Sequence, residues 1–165
     1  MNKLILILSI VVLAGGAILF FQRQKPSSSP TSSTVPLPTK VEEIKTVYSK
    51  SLVEAFLQAI ADKKIPEAIA MMTSKAVPDE GAKQAWGVQF NAFKKLSIIS
   101  IEESMKETWT ETTQSYKVLL DVEMVPDSAN GPIPYYGYEK GTNIRWIILE
   151  KENGVWKVAG ISTGP

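Results

Sequence analysis

Residues 4–21, LILILSIVVLAGGAILFF, are apolar but for Ser9 and two glycines, and the polar pattern begins abruptly at Gln22. A run of this length falls within the roughly 17–25 residues that carry a helix across a bilayer. It exceeds the usual apolar core of a cleavable signal, about 7–15 residues. Residues 22–40, QRQKPSSSPTSSTVPLPTK, are almost wholly Ser, Thr, Pro and charge, too poor in apolar side chains to fold. That leaves about 125 residues, from Val41 onward, for a folded body.

In the body the first period is helical. Val41, Ile44, Val47, Tyr48, Leu52, Ala55, Phe56, Ala59 and Ile60 recur at i, i+3, i+4 spacing, predicting a long amphipathic helix that ends near Asp62-Lys63-Lys64. Pro66, with Glu67 beside it, opens a second, short helix. A third is predicted from about Pro78-Asp79-Glu80 to Phe93, with Ala82, Trp86, Phe90 and Phe93 as its apolar stripe and Gly87 as a weak point. After Lys95 the period drops to two. Strands are predicted over 96–105, 113–125, 143–152 and 155–162, and Asn153-Gly154 between the last two marks a two-residue hairpin. On the second strand Tyr116, Val118, Leu120, Val122 and Met124 share one face. On the third, Trp146 shares its parity with Ile144 and Ile148 and is read as facing the core. The expected core comprises Phe56, Trp86, Val118, Leu120, Val122, Ile148, Trp156 and Val158.

Three helices followed by a four-stranded antiparallel meander define an α+β fold with the helices packed on one curved sheet. The closing hairpin, WIILEKENGVWKVAGISTGP, together with that element order, resembles the nuclear-transport-factor-2-like superfamily, in particular its small bacterial membrane-anchored extracytoplasmic domains of unknown function. The resemblance covers residues 41–165. It implies a cone-shaped domain with an apolar pocket at the wide end. Some members are isomerases or dehydratases with an Asp base in that pocket, but this chain offers no residue-by-residue match, and Asp121 falls on the opposite parity from Val118, Leu120 and Val122.

The amino-terminal run decides location. LAGG, Leu13–Gly16, resembles a lipobox without its cysteine, so no thiol is available for a lipid. Small residues permit cleavage near Gly16 or Ala17, which would secrete the protein, but ILFF continues the apolar run beyond that point. The expected organisation is a signal anchor over 1–21, a disordered Ser/Thr/Pro-rich linker over 22–40, and a domain over 41–165 held outside the cytoplasm.

Composition narrows the chemistry. The net charge is +1, yet from Lys40 onward there are 15 basic and 17 acidic residues, a net of −2 with the signs interspersed. Such a body lacks the basic face that nucleic acid requires. The chain has no Cys and no His. That removes thiolate nucleophiles, the commonest general base and the commonest metal ligands, so neither a metal nor a cofactor is expected and any enzymatic reading must run on carboxylates or tyrosines. Glu102, Glu103, Glu107 and Glu111 read as a solvated face rather than as the six to eight converging oxygens of a calcium site.

The candidate contact residues are Tyr135, Tyr136 and Tyr138 in the long loop PDSANGPIPYYGYEKGT, with Tyr116, Arg145 and Trp146 on the strands. Tyrosines in adaptable loops are typical contact residues. The expected function is a membrane-anchored, non-enzymatic binding module for an envelope protein, peptide, glycan or small apolar ligand. The alternatives are a carboxylate- or tyrosine-based isomerase or hydro-lyase in the cone pocket, and a structural spacer of an envelope complex.

Overall fold

The structure, a computed structural model, describes residues 40–130 and 134–165, with side chains from Tyr48 onward except Ala129 and Pro134. The expected anchor and all but the last residue of the expected linker lie outside the described residues. Among the described residues, no helix is long and apolar enough to cross a membrane.

Three helices precede four strands. Helix α1 spans Lys40–Ala61, α2 Ile65–Ala70 and α3 Glu80–Asn91; strands follow as β1 Phe93–Ser104, β2 Thr113–Met124, β3 Gly141–Glu152 and β4 Val155–Ser162. The strands form one antiparallel sheet in the order β1-β2-β3-β4. The helices pack on this sheet, which is not strongly curled.

Local chemistry explains the helix ends. The αL residue Lys63 closes α1, its N–H bonding to Ile60 O and the next N–H, that of Lys64, to Ala59 O, the paired bonds of a Schellman ending. The Lys63 ammonium then donates to the carbonyls of Asn91 and Phe93, tying the end of α1 to the end of α3. Asp79 caps α3 by accepting from the Ala82 N–H at 2.8 Å, which satisfies one of the helix's orphan donors. Asn153 and Gly154 both take positive φ, 52° and 81°, as a two-residue hairpin of this hand needs.

The core lies between the helices and one sheet face. Phe56, Val118, Leu120, Val122 and Val158 are fully buried there with Phe90, Ile147 and Leu149. Phe56 meets Phe90 edge to face at 5.7 Å. Trp86 and Trp156 are half-buried at the margin, packed against this cluster; the Trp86 indole donates to Ala76 O at 3.0 Å.

Two expectations about facing need correction. The buried stripe of α1 runs through Ser49, Val53, Phe56, Leu57 and Ile60, while Tyr48 is 70% exposed. The stripe turns toward Ser49 because that hydroxyl meets the Tyr116 hydroxyl at 2.6 Å inside the core, a contact a hydropathy pattern scores as polar. On β3 the buried parity is Asn143, Arg145, Ile147 and Leu149, so Ile148 and Trp146 lie on the opposite, open face with Ile144. The inward polar pair is satisfied locally. Asn143 bonds the backbone of Glu139 and Gly141, and Arg145 donates to Gly137 O of the preceding loop and to Ile144 O of its own strand, so neither is driven out to water.

This parity makes a prediction. Ile147→Ala should cost about 2–5 kcal/mol of stability, the usual loss for a fully buried branched side chain, whereas Ile148→Ala should cost less than half as much. Urea unfolding of the two variants checks it, and equal losses would overturn the parity.

Candidate functional site

The connection between β2 and β3 is built against the end of α3. The Val125 N–H donates to Ala92 O at 2.8 Å, and a 3-10 segment at Pro126–Asn130 follows, held by Ser128 N–H and Oγ bonds to Val125 O. The chain returns through a kinked turn at Pro134–Gly137, where Tyr135, Tyr136 and Gly137 carry φ of 53°, 50° and 73°. Positive φ is uncommon for tyrosine and costs about 1–3 kcal/mol per residue.

Arg145 holds this turn in place. The residue is only 6% exposed, and its guanidinium donates to Gly137 O and to Ile144 O and lies 3.9 Å from the centre of the Tyr138 ring. Tyr138, also buried, meets Phe93 edge to face at 4.8 Å. Burial pushes the Tyr138 phenol above its ordinary value, with the Arg145 charge opposing. The result is a stack from β1 through Tyr138 to β3 that fixes the end of the connection.

An open groove of about 590 Å³ lies between α3 and this connection. Gly87, Val88, Ala92 and Val125 give it an apolar floor; Gln84, Asn91, Asp127 and Ser128 supply polar groups at the wall, and Tyr136 stands at one side. Val88 is 52% exposed. Gly87 lies inside α3 with helical neighbours on both sides, and a Cβ built there would meet nothing within 4 Å. No contact within the described fold therefore requires glycine at that point, and helix propensity argues against it.

The candidate residues separate into three places. Tyr138 and Arg145 meet in the stack. Tyr136 reaches the groove, and Tyr135 borders a smaller cavity of about 220 Å³ with Glu123 and Lys140. Tyr116 is fully buried, bonded to Ser49 and, at 3.3 Å, to Gln114, and packed against Trp109. Burial raises its phenol above the ordinary value, with the Ser49 bond opposing. Trp146 sits on the far sheet face, its indole donating to Ser104 Oγ at 3.2 Å. Asp121 pairs with Lys95 at 2.7 Å on that same face, so Tyr116 and Asp121, the pair an acid–base reaction would use, lie on opposite sides of the sheet.

A third depression, about 620 Å³, lies between the α2–α3 segment and the closing hairpin. Its charges are spent within the fold: Glu152 accepts from the Ser74 N–H and hydroxyl, which hold its carboxyl below the usual range, and it also pairs with Lys157. Among the described residues no three acidic side chains converge as a metal site would need. The groove residues Gln84, Val88, Asn91, Asp127 and Ser128 were not singled out by sequence reasoning. The signals in the sequence were Tyr136 and the long loop that carries Asp127 and Ser128, and Gly87, legible only as a weak point in a helix. No protein-family model matches the chain, and no curated protein matches it in sequence.

The two buried phenols give a pH dependence with a definite sign. Their folded-state values are raised, so the folded chain holds these protons more tightly than the unfolded chain. The stability they contribute is complete below the ordinary phenol value of about 10 and is lost as the pH rises through the folded-state values. Chemical denaturation from pH 8 to pH 11 should show this loss in the natural chain and a shallower one in Tyr116→Phe/Tyr138→Phe.

Proposed function

We propose that this chain is a membrane-tethered binding module working outside the cytoplasm, which takes a small apolar or amphipathic molecule in the groove between α3 and the β2–β3 connection and does no chemistry on it. The observation that carries the reading is Gly87: a helix-destabilising residue with no internal packing reason, on the floor of an open apolar groove. Where the fold itself does not need the missing Cβ, a ligand approaching the helix backbone does. The groove's volume lies in the range of small-molecule sites, about 300–1,000 Å³, and its few polar groups sit where they can orient a ligand.

The tether rests on the apolar run over 4–21 and the Ser/Thr/Pro-rich stretch after it. The order of helices and strands and the Asn153-Gly154 hairpin favour the nuclear-transport-factor-2-like resemblance as the source of the scaffold, with the ligand seat at the sheet margin instead of a cone mouth. An isomerase or hydro-lyase reading gains nothing from the placement of Tyr116 and Asp121 on opposite faces.

The described core lies between Ser49 and Val158, so a fragment starting at Lys40 retains it. Such a fragment should bind the neutral dye Nile red saturably at one site. Gly87→Leu, which fills the floor, should weaken binding about tenfold or more while the protein still melts cooperatively. Gly87→Ala should raise stability by about 0.5–1 kcal/mol. Dye uptake that does not saturate, or that ignores Gly87→Leu, counts against the groove. Mass spectrometry of the mature amino terminus tests the tether separately, since a start near Gly16 or Ala17 would mean release.

A further inference from the structure

Strand β1 lies at one edge of the sheet, and the two edges are treated differently. The edge at β4 is occupied: Met72 bridges to Val158, with bonds from Thr73 N–H to Val158 O and from Val158 N–H to Met71 O, each 2.9 Å. At β1 only the terminal carbonyls are taken, Phe93 O by the Lys63 ammonium and Ser104 O by the Trp109 indole. Between them the backbone has no partner but β2 among the described residues. At the midpoint Ile99 is 52% exposed. An unpaired edge with an exposed isoleucine is a pairing surface unless something guards it.

The central stretch of this edge, KLSIISIE over 95–102, is complementary to itself when reversed. We propose that β1 pairs antiparallel with β1 of a second copy about a two-fold axis between Ile98 and Ile99, joining the two sheets into one. In that register Ile98 meets Ile99, Ser97 meets Ser100 and Leu96 meets Ile101. Further out Lys95 meets Glu102, and beyond Lys95 a second register shift, between Phe93 and Lys95, ends the match. From Lys95 to Glu102 every pair joins like polarity, and the charged pair joins opposite signs.

A second observation fits this register independently. In an unbroken strand, two residues whose positions add to an odd number lie on opposite faces, so the pairing would set inward side chains against outward ones. The β1 register shifts between Ile98 and Ser100, at the proposed axis. That bulge restores the match. Lys95, Ser97, Ser100 and Glu102 all face away from the helices, opposite Glu123, Asp121, Leu119 and Lys117 of β2, while Leu96, Ile98 and Ile101 stand opposite the buried Val122, Leu120 and Val118. On the open face the charges would then alternate across four strands. Asp121 already holds Lys95 at 2.7 Å, Lys95 would meet Glu102 of the second copy, and that Glu102 stands opposite its own Lys117. A symmetric pairing of this kind is closed and stops at two copies, so it protects the edge instead of propagating along it.

The test uses two differently tagged full-length copies co-expressed and captured through one tag from solubilised membranes. The natural pair should be co-captured. Lys95→Glu paired with itself places two carboxylates face to face and should lower co-capture about tenfold or more, as should Glu102→Lys paired with itself. Lys95→Glu with Glu102→Lys should recover it, because each junction again joins opposite signs, and a chain that merely failed to fold could not be rescued this way. A natural pair that never co-purifies, meaning a monomer or an edge covered by another protein, overturns the proposal. So does equal co-capture in all four combinations, meaning association elsewhere, such as through residues 4–21. The chain has no native cysteine, so a milder check is available. Ser97→Cys co-expressed with Ser100→Cys should give a mixed disulfide dimer on oxidation, and its absence would count equally against the pairing.

Discussion

The arrangement around the groove depends on one buried cation. Arg145 points to the helix side of the sheet, where an uncompensated charge would cost several kcal/mol, and none of the ion pairs among the described residues reaches it. Its compensation comes from the Gly137 and Ile144 carbonyls and from the face of Tyr138, a cation–π contact worth about 0.5–2 kcal/mol depending on desolvation. The Gly137 carbonyl reaches the guanidinium only if the turn before it bends sharply, and Tyr135 and Tyr136 accordingly adopt left-handed backbone conformations. The strain in two tyrosines and the burial of one arginine are thus two sides of the same contact.

That constraint also fixes where an open site can lie. The inner face of β2 is filled along its length by Tyr116, Val118, Leu120, Val122 and Met124, and the only hydroxyl among these is closed by Ser49. Over that face, on a sheet that is not strongly curled, the buried rings of Phe56 and Phe90 from α1 and α3 meet edge to face. The margin is different. There the connection, pinned at Ala92 by the Val125 N–H and at β3 by Arg145, stands away from α3 and leaves the groove between two fixed walls. Two attachments set the width of that space more firmly than a loop anchored only at its ends would.

The element order was legible because each segment announces its own period: helical spacing before Lys94, alternation after it, and a turn dipeptide that demands positive φ. The facing of β3 was not. Hydropathy weights Ile144, Trp146 and Ile148 as the inner set, whereas the fold turns Asn143 and Arg145 inward because the long loop brings them carbonyls and amides from residues 137–141, far outside any local window. On α1 Tyr48 was placed in the buried stripe instead of Ser49 for the same reason, the Ser49 partner Tyr116 lying 67 positions away. Polar groups satisfied at long range are invisible to periodicity, and both errors are of that kind. The groove escaped notice for a further reason: it is made by the distance between α3 and a loop, and distance between elements leaves no mark on either segment's sequence.

Two local costs therefore stand beside the same space. Gly87 weakens α3 by up to about 1 kcal/mol relative to alanine with nothing within 4 Å to require it, and Tyr136, which lines the same groove, holds an unfavourable backbone conformation. Each has a different physical origin, helix propensity in one case and left-handed φ in the other, and they belong to segments far apart in the chain. Stability alone would accept alanine at position 87, since that change removes the local cost without touching the core, whereas the Tyr136 side chain is itself packed against the core. The turn at Tyr136 has its reason inside the fold, in the bond from Arg145 to Gly137 O. Gly87 has none there, so of the two costs it is the one that the packing of the described residues leaves unexplained.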